Sequence, residues 1–172
     1  ELYVAAADAP ALWRRLLDAG REDGLVATGL GCRDSLRLEM GYALYGNDLD
    51  EDTTPLEAGL GWVVKLDKGD FVGRDALARQ KEQGIARKLV GFRLKERGFP
   101  RHGYPVSVDG AEAGVVTSGV LSPTLGEGVG MAYVPAAASK AGTEIGIVIR
   151  GAAVPAEVVR PPFHKNGTVR KD

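Results

Sequence analysis

A single cysteine in 172 residues, Cys32, rules out an intrachain disulfide and suits a reducing compartment. Neither sign of charge is in excess. Lys plus Arg (22) and Asp plus Glu (23) cancel to a net charge of −1. That balance gives no general pull on polyanions and argues against nucleic acid or a membrane surface as the main partner. No apolar run approaches the roughly 20 residues needed to span a bilayer. The chain begins at Glu1, without an initiator Met or a signal-like apolar stretch after it. It is therefore expected to start within a longer protein.

Several chemical signatures are absent as well. There is no Gly-x-Ser-x-Gly motif, phosphate loop or dinucleotide fingerprint. His102 and His164 stand apart, with no Cys or second His near either, so no metal site is expected. Cys32 has no local His to activate it, which argues against a nucleophilic role.

What is present is an ordinary globular balance, 44% hydrophobic and 26% charged. Leu2-Tyr3-Val4 reads as a short strand. Asp8 and Pro10 open a helix whose apolar stripe is Leu12, Trp13, Leu16 and Leu17, and Gly20 closes it. A second helix follows Gly29-Leu30-Gly31 and exits at Gly41, with Cys32, Leu36 and Met40 on one face and Arg33 and Arg37 on another. Thr54-Pro55-Leu56-Glu57 resembles a helix start in which Glu57 returns to the cap. Trp62 to Leu66 reads as a strand. Gly73 to Gln83 reads as a helix with Ala76, Leu77 and Gln80 inward.

The pattern changes near residues 84–88. Beyond it, Leu89–Leu94, Pro105–Val108, Ala113–Thr117, Gly128–Tyr133, Ile145–Ile149 and Pro155–Val159 are six candidate strands. Asp109-Gly110 is a hairpin signal, and Arg150-Gly151 a weaker one. Short strands with little helix predict a small antiparallel barrel or jelly roll over residues 87–172, preceded by a separate part over residues 1–86.

Among candidate functional residues, Arg33 sits in the first turn of a helix behind two glycines, where its guanidinium can make bidentate bonds to a carboxylate or a heteroaromatic edge. A surface Arg paired with a helix neighbour is the plainer alternative, as is an Arg37–Glu39 pair. Tyr42, nine residues later, can cover a heteroaromatic ring, whereas Tyr45 reads as a half-buried core residue. The acidic run Asp48 to Asp52 lacks the spacing of a calcium loop and reads as a solvated loop. These residues suggest an anion or heteroaromatic site near Arg33 and do not name a reaction.

A family resemblance does. Gly29 to Glu39, Leu44 to Glu51, Thr54 to Trp62, Asp70 to Arg74, Gly119 to Leu125 and Gly130 to Pro135 resemble, in order, the signature stretches of glycine cleavage T-proteins. The resemblance implies an α+β chain: the end of an α/β folate-binding domain (residues 1–86), then a small antiparallel six-stranded β-barrel or jelly-roll domain (87–172). It implies an aminomethyltransferase that takes the one-carbon unit from the aminomethyl-lipoyl arm of the H-protein, releases ammonia and passes the unit to tetrahydrofolate. On this likeness Arg33, Tyr42 and Lys165 are the folate-contacting residues, and the partners are folate and lipoylated H-protein. The family's Gly-Tyr-Thr-Gly-Glu motif and its catalytic aspartate have no counterpart between Glu1 and Asp172. No catalytic residue is therefore expected here, and the isolated chain is expected to be inactive. Two other readings share the resemblance: a folate-dependent demethylase domain of the dimethylglycine or sarcosine dehydrogenase type, and a non-catalytic folate-binding relative. The implied compartment is bacterial cytoplasm or, in a eukaryote, the mitochondrial matrix.

Overall fold

A computed structural model of the chain describes residues 1–166. It divides into two compact units, Glu1–Asp34 and the part from Ser35 onward.

In the first unit, helix α1 (Ala9–Ala19) has Pro10 in its first turn, where a missing N–H leaves no hydrogen bond unmade. The expected Asp8 cap is supplied by its carbonyl, which accepts the Leu12 N–H at 3.0 Å; the carboxylate makes no cap bond. Gly20 ends the helix because Leu25 packs there: a Cβ on Gly20 would fall 2.6 Å from Leu25 Cβ. Of the expected stripe, Leu12 and Leu17 are half-buried, while Trp13 and Leu16 lie on the unit's surface. Leu2-Tyr3-Val4 is not a strand: it has no ladder partner and all three side chains are exposed. Helix α2 (Leu30–Glu39) runs through the division between the units.

The second unit is built on a closed barrel of six strands: β1 (Arg87–Leu94), β2 (Pro105–Val108), β3 (Ala111–Leu121), β4 (Gly128–Pro135), β5 (Glu144–Ile149) and β6 (Ala152–Val159). Every pairing is antiparallel, in the order β1-β4-β3-β2-β5-β6, and β6 returns to β1. All six expected strands are present. Both hairpin signals form two-residue loops: Asp109 (φ 51°) and Gly110 (φ 80°) join Val108 to Ala111, and Arg150 (φ 52°) and Gly151 (φ 83°) join Ile149 to Ala152. Positive φ at both positions twists the chain in the sense the flanking strands need.

Alternation sends Val90, Phe92 and Leu94 of β1, Ala132 and Val134 of β4, Ile145 and Ile147 of β5, and Ala156 and Val158 of β6 into the barrel. Phe92 is fully buried opposite Gly130, whose missing side chain makes room for the ring. The outward residues Val129, Met131 and Tyr133 of β4 are buried too, in a second cluster with Leu38, Leu89 and Phe163. Strand β4 is thus covered on both faces, which explains its nearly continuous apolar sequence.

Two expectations also fail in the second unit outside the barrel. Trp62–Leu66 is a 3-10 turn (Gly61–Val63) followed by an irregular run, with Trp62 largely exposed. A closed barrel has no free edge to accept another strand, and the turn bonds Val63 N–H to Leu60 O (3.0 Å) and Val64 N–H to Gly61 O (3.1 Å) satisfy this backbone locally. Helix α3 (Arg74–Gln83) forms where expected, but Ala76 is exposed while Leu77 and Gln80 are half-buried. Among the described residues no helix is long and apolar enough to cross a membrane.

Candidate functional site

Helix α2 buries Leu38 and Glu39; on the Cys32–Leu36–Met40 face Cys32 and Leu36 are exposed and Met40 is half-buried. Polar docking overrides the apolar pattern here, because Glu39 finds hydroxyl partners on the barrel. The helix then stops in a paired-bond motif: Tyr42 N–H bonds Arg37 O and Gly41 N–H bonds Leu38 O, both at 2.8 Å. Gly41 sits at φ 71°, and a Cβ there would lie 2.2 Å from Pro161 Cβ, so both conformation and packing demand glycine. The next residue, Tyr42, leaves this fixed corner with 60% of its surface open to solvent.

The loop that follows is tied down by Asp48. Expected to be part of a solvated acidic loop, Asp48 is instead 1% exposed. Its Oδ2 accepts from Arg37 Nη1 (2.7 Å), the Leu44 N–H (2.9 Å) and Ser118 Oγ (2.9 Å), and its Oδ1 from Thr117 Oγ1. Its carbonyl accepts the Tyr133 hydroxyl at 3.0 Å. Arg37 Nη2 reaches Ser118 Oγ at 2.9 Å, and Nη1 lies 3.3 Å from the Tyr42 carbonyl. A buried carboxylate this fully bonded has recovered what it lost in leaving water.

Two further buried acids work alike. Glu39 accepts from Ser122 Oγ and from Thr124 Oγ1 (2.9 Å) and N–H (3.3 Å), while its carbonyl takes the N–H groups of Phe163 (2.9 Å) and His164 (3.1 Å). Glu57 forms the expected reciprocal cap with Thr54: Thr54 N–H bonds Glu57 Oε2 at 3.0 Å, and Glu57 N–H bonds Thr54 Oγ1 at 3.2 Å. Its other oxygen accepts Arg87 Nε at 3.1 Å, and the Arg87 guanidinium stacks 4.7 Å from the Tyr133 ring centre. Burial pushes the Glu57 carboxyl up, but the Thr54 amide and Arg87 outweigh it and hold the group below its ordinary value. Burial holds the Tyr133 phenol above its ordinary value.

Arg33 lies in the first turn of α2, exposed, and belongs to the first unit. Tyr42 and Lys165 belong to the second. Lys165 is exposed and lines a cleft of about 290 Å³ with Arg93, Glu157, Arg160 and Phe163. Tyr45 is exposed, contrary to its expected place in the core. His102 is occupied structurally, its Nδ1 lying 2.7 Å from Thr117 O.

The residues that sequence reading missed are Asp48, Glu39, Thr117, Ser118 and Ser122. One signal was there to find: Thr117-Ser118 puts two polar residues side by side between the apolar pairs Val115-Val116 and Val120-Leu121, where alternation permits one.

A closed six-stranded barrel, with the end of α2 and the loop after it held on its outer face, defines the structural class. Comparison then places the chain within it. The family model "Glycine cleavage T-protein C-terminal barrel domain" matches residues 87–165, and "GCVT N-terminal domain" matches residues 1–68. The chain is 56% identical over 163 residues to an aminomethyltransferase of Halothermothrix orenii, covering 95% of this chain and 46% of that protein. It is 55% identical over 167 residues to one of Symbiobacterium thermophilum (96% and 44%). The crystal structure of glycine cleavage system aminomethyltransferase T from Bartonella henselae superposes with a TM-score of 0.82 at 38% identity, covering 92% of this chain and 44% of that one. The chain belongs to the glycine cleavage T-protein family. It spans about half the length of the relatives it matches.

Proposed function

We propose that this chain is the C-terminal half of a tetrahydrofolate-dependent aminomethyltransferase. The observation that carries the reading is identity above one half to proteins named aminomethyltransferase, sustained over nearly the whole chain. In this reading residues 1–86 end the folate-binding domain and 87–172 form the barrel domain. The parent protein passes the one-carbon unit from aminomethyl-lipoyl H-protein to tetrahydrofolate and releases ammonia.

The chain's own residues fit a binding role toward an acidic, heteroaromatic co-substrate. Arg33 offers an exposed guanidinium on a helix turn, with donors matched to a carboxylate or ring edge. Tyr42 offers an exposed aromatic face on a rigid corner. Lys165 offers an exposed ammonium beside Arg160 in the cleft. Tetrahydrofolate supplies the nitrogens that accept the one-carbon unit, and these residues would hold and orient it. In this reading they hold the co-substrate, the chain carries no assigned catalytic residue, and the isolated chain is expected to be inactive.

Calorimetric titration with 5-formyltetrahydrofolate tests this reading. Binding by the chain that is lost in Arg33→Ala supports it. Aminomethyl transfer by the chain alone refutes its inactivity. A parent protein carrying a flavin domain would favour the demethylase reading.

A further inference from the structure

We infer that Asp48 is a positioning residue for Tyr42, and that a bulge in strand β3 exists to serve it. This rests on the reading that Tyr42 faces folate.

Pairing between β3 and β4 runs Val116 to Ala132 and then Ser118 to Met131, so Thr117 is an inserted residue. In a regular strand Thr117 and Ser118 would point to opposite faces. The bulge turns both hydroxyls to the same side, where they donate to the two oxygens of one carboxylate. Both residues are buried, Thr117 at 5% exposure and Ser118 at 2%. The inserted hydroxyl also lies 3.1 Å from the Met131 carbonyl oxygen, and its single proton goes to the nearer acceptor, Asp48 Oδ1.

Asp48 transmits this rigidity to one short loop. Its Oδ2 holds the Leu44 N–H two residues beyond Tyr42, and the Arg37 it grips reaches the Tyr42 carbonyl. The loop is thus clamped on both sides of Tyr42 while the Tyr42 ring stays open to solvent. The other buried acids contrast with this. Glu39 is bonded by Ser122 and Thr124 of the barrel unit, and Glu57 by its neighbour Thr54 and by Arg87 of β1; none of these bonds ends on residues 42–48. Docking alone needs no bulge; aiming two adjacent hydroxyls at one oxygen pair does.

The test compares Asp48→Asn, Thr117→Val, Thr117→Ser and, as a control, Glu57→Gln, with two readouts. Amide hydrogen exchange at Tyr42 and Leu44 is measured without folate, and affinity for 5-formyltetrahydrofolate by calorimetry. Asp48→Asn is expected to speed exchange at both amides and weaken folate binding, each about tenfold, with the barrel strands still protected. Thr117→Val gives the same pattern at smaller size, and Thr117→Ser, which keeps the hydroxyl, behaves as wild type. Glu57→Gln lowers the melting temperature and leaves both readouts alone. Loop protection in Thr117→Val and Asp48→Asn equal to wild type would overturn the inference. So would an equal loss in Glu57→Gln. Should Asp48→Asn not fold, the Thr117 pair decides. Tyr42→Ala separates the two claims: unchanged folate affinity there sinks the role given to Tyr42, while the exchange data still judge the clamp.

Discussion

Inside the barrel, Val90, Phe92, Val116, Val134, Ile147 and Val158 meet across strands at positions two apart, and water is excluded by apolar packing alone. On its outer face, the segment from Leu38 to Glu57 is held by three carboxylates whose partners lie up to 85 residues away in sequence. The two regions are stabilised by different physics. Apolar packing is non-directional, tolerates conservative exchange and depends little on pH. A buried carboxylate is directional, needs every donor in place, and is costly once one is removed. The barrel is therefore the part that gives the unit its stability, and the docked segment is the part that gives it a shaped surface.

Four measurements would sharpen or break that contrast. The largest effect is expected inside: Phe92→Ala opens a cavity at a fully buried site and should cost about 3–5 kcal/mol in denaturant unfolding. An unchanged midpoint would mean that the interior is not the source of stability. Next comes Asp48→Ala, which removes the acceptor shared by the Leu44 N–H, the Thr117 and Ser118 hydroxyls and Arg37 Nη1. About 3 kcal/mol should be lost, with the change in hydrogen exchange centred on residues 41–48. A loss spread evenly over the strands would erase the distinction between skin and barrel.

The third measurement uses pH. Glu57 is held below its ordinary value in the fold, so its contribution is present above the unfolded carboxylate value and disappears as pH falls through the folded one. Glu57→Gln should flatten the acid limb of the stability profile. Tyr133 has the opposite sense. Its raised value favours the neutral phenol, so its contribution is full below the unfolded value near 10 and is lost as pH rises beyond it. Tyr133→Phe should remove that alkaline loss. The smallest effect is expected at Lys95→Ala: its Glu144 partner is exposed, and solvent screens the pair. A clear fall in melting temperature there would show that surface charge matters more to the barrel than its packing.

The barrel was legible because its information is local. Alternating residues, the Asp109-Gly110 and Arg150-Gly151 turns and the glycine punctuation each act within a few positions, and all six strands stand where they announce themselves. The Thr54–Glu57 cap was legible for the same reason, its two partners being three residues apart. Trp62–Leu66 was misread because its composition suits a strand, while the decision depended on whether a sheet edge was open. Asp48 was misread because acidic neighbours imply solvent, and nothing within ten residues announces Thr117, Ser118 or Tyr133 as its partners. The candidate binding residues Arg33, Tyr42 and Lys165 all lie exposed.

Sequence alone determined the six barrel strands, their hairpin turns, the helix boundaries and the family, because periodicity, backbone preference and motif order are written residue by residue. Tertiary structure decided which acids are buried, which face of α2 packs and how the Tyr42 loop is clamped. Those outcomes depend on donors brought together by barrel closure and by a single inserted residue in β3, and a carboxylate stays out of water only where such donors converge.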